Sequence, residues 1–541
     1  MRTRLTLSGL LCSVLLVVPL MLLAALTQAD EAFDQALEQF AKGKIKNVQQ
    51  GVTLLSDSED ERVPKVLKHL LEGQLYRNRD TDQVVYITKE GEDLVWVVPV
   101  AQDDAEPQSA KDRRVKRVGV NNRLRSMIRT TLAGINLKHP EAEKRAAAIR
   151  ELLGDLDEDT LAILKKRETV ETDEYVSTLI ATALALADLD SNDAEKQLAA
   201  VHLLYDSLEP DVRIALKQKV DQVTDVKLRK EIEKAIAHIE GQIDFYEKVK
   251  TVFFGLSLGS ILVLAAIGLA ITFGVMGVIN MAHGELIMIG AYTTWGVQAL
   301  FPGSVEYSLL IAVPAAFLVS GVVGIAIERG VIKFLYGRPL ETLLATFGVS
   351  LVLQQAVRSL FGPLNQSVET PSWMSGLLEI NPVFSLTLNR LYIILFCFMV
   401  FAVLFVILRK TNLGLQVRAV SQNRAMARSM GVRSEWVDAM TFGLGSGIAG
   451  VAGVALSQIS NVGPNLGQAY IIDSFMVVVF GGVGNLWGTM VAGLSLGVAN
   501  KFLEPFSGAV LAKILVLIFI ILFIQKKPRG LFPQKGRAAE G

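Results

Sequence analysis

Cysteine is nearly absent: of 541 residues only Cys12 and Cys397 are cysteine, and both sit in apolar runs. That excludes a disulfide framework and a cysteine-based zinc site. No Gly-x4-Gly-Lys-Ser/Thr phosphate loop occurs, so the chain cannot hold ATP by that device. His283-Gly284-Glu285 echoes the His-x-Glu of zinc deaminases, but the Pro-Cys-x-x-Cys partner is missing. Net charge is also lacking, with 54 basic and 54 acidic residues, which gives no hint of nucleic-acid binding. The chain reads as a non-enzyme without a cofactor.

The zero net charge hides an asymmetry. Residues 30–248 are highly charged and contain no membrane-length apolar run, whereas apolar stretches recur from Val252 onward. Ahead of both, Arg2 and Arg4 precede an apolar run, and Thr27-Gln28-Ala29 forms a small-residue site before Asp30. That is the outline of a secretory signal peptide over residues 1–29, with an uncleaved anchor as the other reading. Either places residues 30–248 outside the cytoplasm.

The soluble region carries an internal repeat. Ala142–Ala185 aligns with Ala194–Ala237 without a gap at an offset of 52 residues, matching Leu152 with Leu204, Ile180 with Ile232 and Ala183 with Ala235. Each unit reads as paired amphipathic helices, a pattern that stacks into a HEAT-like solenoid. Gln83–Val100 changes to a period of two around Glu90-Gly91-Glu92-Asp93 and predicts a small β-hairpin. Asp103–Arg117 reads as a solvated mixed-charge linker.

The membrane region predicts an all-α polytopic domain over residues 249–541. About nine spans begin near Val252, Met281, Ser308, Glu341, Arg390, Trp436, Ile471, Trp487 and Ala509. Starting outside, an odd count ends inside, and the basic loops after the third and fifth spans and the basic tail then all fall in the cytoplasm. Two spans are interrupted by glycine and polar residues, at Gly274–Glu285 and Gly481–Gly488. Unwound backbone at membrane depth persists only against protein or a water-filled path, so paired interruptions point to a transport route. His283 and Glu285 lie in the first, and both a structural and a gating role are open to them. The loop Arg409–Arg433 has six basic residues and no acidic one, and Gln416–Met430 within it reads as one short helix capped by Gly431. Such a helix suits docking of a soluble partner, or these arginines only anchor topology and meet lipid phosphate.

Four stretches carry a family likeness: Val278–Glu285 with Gly290-Ala291-Tyr292; Arg338-Pro339-Leu340 with Leu344–Gly348; Arg418-Ala419-Val420 with Asn423 and Met430-Gly431-Val432; and Gly481–Asn485. In them the chain resembles the permease subunits of the branched-chain amino-acid ABC importer family. The signal sequence, the helical domain and Val120–Arg125 make it look like the urea-transporter branch of that family. The resemblance implies a bacterial inner-membrane permease, paired with a paralogous permease, two cytoplasmic ATP-binding subunits and a periplasmic substrate-binding protein. It further implies that Arg418, Asn423, Arg424, Arg428 and Gly431 form the helix that couples to the ATPase. A path for urea needs neutral hydrogen-bonding groups, and Asn280, Thr346, Gln354, Gln355 and Asn485, with aromatic Tyr292 or Trp487, are suitable beside His283 and Glu285. The same groups could pass a branched-chain amino acid or a short amide, and a passive channel or a membrane-anchored scaffold are the remaining readings.

Overall fold

The computed structural model describes residues 32–533 apart from 57, 59, 61, 91–93, 101–107, 112 and 113. The expected signal peptide, Cys12, the tip of the expected hairpin and part of the expected linker lie outside the described residues. The chain divides into two compact units, Met1–Gly241 and Gln242–Gly541.

The first unit opens with three helices: α1 (residues 32–42), α2 (Ile45–Ser56) and α3 (Val63–Glu72). Their apolar stripes close on one another around Phe33, Phe40, Leu55, Leu67 and Leu70, all fully buried. Strands β1 (Tyr76–Asn78), β2 (Gln83–Glu90), β3 (Leu94–Pro99), β4 (Gln108–Lys111) and β5 (Val115–Arg117) form an antiparallel sheet in the order β4-β3-β2-β1-β5. The expected hairpin is therefore only the β2–β3 pair of a larger sheet. The mixed-charge stretch expected to be a linker supplies both edge strands. Edge strands face solvent, and charge there blocks further pairing, so polarity alone does not distinguish an edge strand from a loop.

Helix α4 (Asn122–Asn136) follows, with Asn121 Oδ1 accepting from the Leu124 N–H at 2.8 Å as N-cap. Next come α5 (Ala142–Leu152), α6 (Glu158–Glu168), α7 (Glu174–Asp188), α8 (Ala194–Leu204), α9 (Pro210–Gln222) and α10 (Val226–Met276). The starts of α5 and α8, of α6 and α9, and of α7 and α10 are each 52 residues apart. The repeat thus holds three helices rather than the expected pair. Residues matched across it are those that fill the core: Leu152 and Leu204, Ile180 and Ile232, Ala183 and Ala235 are all at most 2% exposed. Asp173 and Asp225 cap the third helix of each copy, accepting from the N–H of Val176 and of Lys227.

The second unit contains the rest of α10 and then α11 (His283–Leu300), α12 (Val305–Gly330) and α13 (Pro339–Phe361). A hairpin of β6 (Leu377–Asn381) and β7 (Phe384–Thr387) precedes α14 (Leu388–Lys410), α15 (Asn412–Gln422), α16 (Arg424–Ser429), α17 (Ser434–Ser457), α18 (Leu466–Gly481) and α19 (Leu486–Lys526). Among the described residues six of these helices are long and apolar enough to cross a membrane. Helix α11 has 18 residues and α18 has 16, and α19 is broken at Gly508, where φ is 76° and ψ 162°. The nine expected starting points all fall in these helices or within a turn of them, with α19 receiving two.

Helix α17 is the centre of the unit and is buried along most of its length. It presents glycines where α10, α11 and α12 cross it. A Cβ on Gly290 of α11 would stand 2.0 Å from the Gly450 carbonyl oxygen, and one on Gly268 of α10 would stand 2.2 Å from that of Gly445. Lipid supplies no hydrophobic drive to bring helices together, so small residues that let backbones touch do that work. Helices α10 and α19 use the same device at Gly-Leu-Ser-Leu-Gly, present as Gly255–Gly259 and Gly493–Gly497. These letters match the nucleophile pattern of α/β-hydrolases. Here, though, both stretches lie inside helices rather than on a strand-to-helix turn, and a Cβ on Gly497 would meet the Gly259 nitrogen at 2.3 Å.

Candidate functional site

The interruption between α10 and α11 begins at Gly277, whose φ of 67° ends the helix, and leaves residues 277–280 outside regular structure. Its backbone is satisfied from α13. Thr346 Oγ1 accepts from the Met281 N–H at 3.1 Å and lies 3.4 Å from the Ile279 carbonyl oxygen. Asn280 Oδ1 accepts from the Ala282 N–H at 3.0 Å and turns the chain into α11, while its buried Nδ2 has no partner among the described residues.

Glu285, in the first turn of α11, is 1% exposed. Its Oε1 accepts from Ser350 Oγ at 3.0 Å and from Gln354 Nε2 at 2.7 Å, and its Oε2 has no partner among the described residues. Tyr292, further along the helix, stacks on Phe361 with ring centres 5.0 Å apart, and its buried hydroxyl has no partner among the described residues. His283 is fully buried, with Nε2 2.9 Å from the Ala265 carbonyl oxygen. A carbonyl can only accept, so Nε2 carries the proton. The imidazole thereby ties α11 to α10.

Thr342, Thr346, Ser350 and Gln354 recur every four residues along α13, and each is at most 5% exposed. At 1.5 Å per residue they form a column of neutral hydrogen-bonding groups about 18 Å long. Ser350 and Thr342 were not among the expected path residues, although the i,i+4 spacing of small polar residues in an apolar helix was their signal. Gln355 is exposed and stands apart from the column.

Asn485 and Trp487 lie elsewhere. Asn485 caps α19, accepting from the Gly488 N–H at 3.1 Å, and donates from Nδ2 to the Phe532 carbonyl oxygen at 3.2 Å. Trp487 stands edge-on to Phe401 and Phe405. Both line a cavity of about 770 Å³ whose wall includes Arg409 and Arg418. The expected path residues therefore fall into two groups, with Gln355 outside both.

The basic loop also departs from expectation. Asn423 adopts an extended conformation (φ −152°, ψ 99°), so the expected single helix is two, α15 and α16. The cause is local: Asn423 Oδ1 accepts from the Met426 N–H at 3.0 Å and restarts the helix as an N-cap. Arg424 then turns inward. Its guanidinium makes a two-pronged pair with Asp438 of α17 at 2.7 and 3.0 Å, donates to the Tyr336 hydroxyl at 2.5 Å and stacks on that ring. Burial disfavours the charge on Arg424, but the Asp438 carboxylate outweighs it and holds the pKa above its ordinary value. Arg428 Nε donates to Ser434 Oγ at 2.6 Å, and Arg418 donates to the Leu408 carbonyl oxygen. Gly431, with φ of 87°, ends α16. Three apolar side chains are exposed around these arginines: Leu415, Met426 and Met430.

All of these residues lie in one matched segment. The family model described as branched-chain amino acid transport system / permease component matches residues 251–524. The chain belongs to this permease family. It is 30% identical over 297 residues to the high-affinity branched-chain amino acid transport system permease protein BraD of Pseudomonas aeruginosa, covering 53% of this chain and 96% of that one. The high-affinity branched-chain amino acid transport system permease protein LivH of Escherichia coli K12 is 30% identical over 294 residues, covering 52% of this chain and 94% of that one. The ribose import permease protein RbsC of the same strain is 24% identical over 309 residues, covering 52% and 87%. No solved structure matches the chain. Members of this permease family are membrane-embedded transport subunits of ABC importers, not enzymes, and work with ATP-binding subunits and a substrate-binding protein.

Proposed function

We propose that the chain is the permease subunit that carries a small neutral or zwitterionic solute from periplasm to cytoplasm, driven by ATPase subunits on separate chains. Residues 30–248 stand in the periplasm as a HEAT-like repeat domain behind a signal peptide, and nine crossings leave the C-terminus in the cytoplasm. The observation that carries this reading is the buried neutral column of α13 set against the interrupted α10–α11 segment, in a chain of this family. Hydrogen-bonding groups that are unused or exchangeable at membrane depth serve a solute that sheds its water. The α15–α16 loop docks the ATPase, with Met426, Met430 and Leu415 as its contact surface and the arginines as its frame.

The printed names of the relatives favour branched-chain amino acids as the solute. Urea is the second reading, favoured by the first unit, since nearly the whole length of those relatives is matched while about half of this chain is not. Uptake of labelled leucine and of labelled urea in cells lacking the gene, with and without an energy poison, separates them. Energy-dependent loss of leucine uptake establishes the first and loss of urea uptake the second. If neither changes, the transport reading fails.

A further inference from the structure

Helices α14 and α17 are joined by the basic loop at one end. At their other ends Asn389 and Arg390 of α14, with Ser457 at the end of α17 and Gln458, Ser460 and Asn461 after it, line a cavity of about 260 Å³. That volume lies just below the range of pockets for drug-sized ligands and suits a small solute. The cavity is built rather than incidental. The loop after α13 is strapped to the segment after α17 by the reciprocal backbone pair of Gln366 and Val462, at 2.7 and 2.8 Å, and by Arg358 donating to Asn465 Oδ1 at 2.6 Å.

Two side chains give this cavity a recognition chemistry. Arg390 lies over the Phe254 ring, with Cζ 4.8 Å from its centre, a contact that favours keeping the guanidinium there. No carboxylate pairs with it among the described residues, and Glu504, the acidic group that acts on it electrostatically, is taken by Lys501 at 2.5 Å. Gln458 is 6% exposed. Its Nε2 donates to Ser457 Oγ at 3.3 Å and its Oε1 has no partner among the described residues. The pair thus offers a fork of unused donors and one spare acceptor, with both amide and hydroxyl groups around them.

We infer that this cavity is a solute-binding site on the delivery side of the permease, in which Arg390 receives an acceptor oxygen and Gln458 Oε1 receives an adjacent N–H. The inference rests on the permease reading and deepens it. An amino-acid backbone presents a carboxylate beside an ammonium, and urea presents a carbonyl beside an amino group, so both meet the same two residues. A carboxylate gains most, because a guanidinium binds it bidentately with charge assistance. Arg390 and Gln458 are accordingly solute-contacting residues in a place distinct from the α11–α13 column.

The test pairs kinetics with protection. Arg390→Gln and Gln458→Ala are expected to raise the KM for uptake about tenfold or more with little change in maximal rate, and Arg390→Lys to recover part of the loss for leucine. Separately, Ser460→Cys in a background with Cys12→Ser and Cys397→Ser is labelled in intact cells with an impermeant maleimide. Saturating leucine or urea is expected to slow labelling several-fold, and Arg390→Gln to abolish that protection. Protection by leucine or by urea alone identifies which source the site takes. Absence of protection by either, with KM unchanged in both variants, overturns the site. If protection is seen but the cells transport neither solute, the transport reading fails while the site stands.

Discussion

Arg424→Glu is the sharpest perturbation of the basic loop. The wild-type guanidinium bridges α16 to Asp438 on α17 through two hydrogen bonds, with the arginine side chain 26% exposed and the aspartate 3% exposed. Two unit charges about 4 Å apart at the effective dielectric of a protein surface interact by about 4 kcal/mol, and the substitution turns that attraction into repulsion. Removing one partner of a buried pair costs about 3–5 kcal/mol, and the partial exposure of Arg424 puts this one at the lower end, about 3 kcal/mol. Such a loss exceeds what α16, a six-residue helix, can gain from its own turns, so α16 should detach from α17. The detergent-solubilised chain is expected to melt at a lower temperature, to be cut faster by protease within residues 411–433, and to lose copurified ATPase. The double variant Arg424→Glu with Asp438→Arg tests the cause. If Arg424 acts by holding the loop, the reversed pair should restore much of the melting temperature and of the ATPase. An unchanged melting temperature in Arg424→Glu, with ATPase lost and not recovered by the reversal, would refute the clamp and make Arg424 a direct contact.

Three further outcomes follow from named contacts. Glu285→Ala leaves Ser350 and Gln354 without their acceptor and is expected to destabilise the solubilised chain by about 1–3 kcal/mol, whereas Glu285→Gln keeps an oxygen for both donors and should cost much less; equal melting temperatures for the two would contradict the network. Gly290→Val must push α11 off α17 and is expected to cost at least about 1–3 kcal/mol, while Gly296→Val on the same helix meets nothing within 4 Å and should be tolerated, as thermal melts of both will show. In the repeat domain, burial raises the Glu171 pKa, but hydrogen bonds from Arg145, the Asp173 N–H and Arg167 overcome it and hold it at about 2. A depressed carboxylate pKa contributes stability that is present above the ordinary value and lost as pH falls through the folded one. Amide exchange in α5–α7 of the full chain should therefore accelerate between about pH 4.5 and 2, by up to about 3 kcal/mol, and Glu171→Gln should flatten that dependence.

How far the fold is legible in the sequence follows from where each signal resides. The 52-residue repeat was legible because its matched positions are the buried ones, and burial constrains residue type at each copy. The number of helices per repeat was not, because α6 and α9 are weakly amphipathic and are delimited by Asp157 as a cap and by Pro210 rather than by an apolar stripe. Strands β4 and β5 were hidden by charge, which edge strands tolerate. The break at Asn423 was hidden because i,i+4 pairs count spacing and ignore a side chain that competes for backbone N–H groups. The polar interruption at 277–285 was visible as composition. That α13 answers it, through Thr346, Ser350 and Gln354, is a tertiary fact between residues 65 to 69 positions apart.

The two ways in which helices are held in the second unit suggest a division of labour. Around α17 the contacts are glycine against backbone, and such contacts have a single close-packed solution, so α10, α11, α12 and α17 form a body that resists deformation. Helix α13 is held differently. Its outward face leaves Leu340, Leu344, Leu351 and Val352 exposed, and its inward face joins hydrogen bonds from Thr346, Ser350 and Gln354 to the packing of Val349, Leu353 and Val357. In an apolar surround a hydrogen-bonded position is specific, but it can be exchanged for another one in which the same groups find new partners, at a modest net cost. Glu285 Oε2, Asn280 Nδ2 and the Tyr292 hydroxyl, without partners among the described residues, all lie on the interrupted segment or on α11, the side that α13 faces, and provide such alternatives. A helix that carries neutral groups through the membrane, packs loosely on its outer side and borders unused acceptors and donors is the element of this fold best able to shift while the glycine-packed body stays fixed.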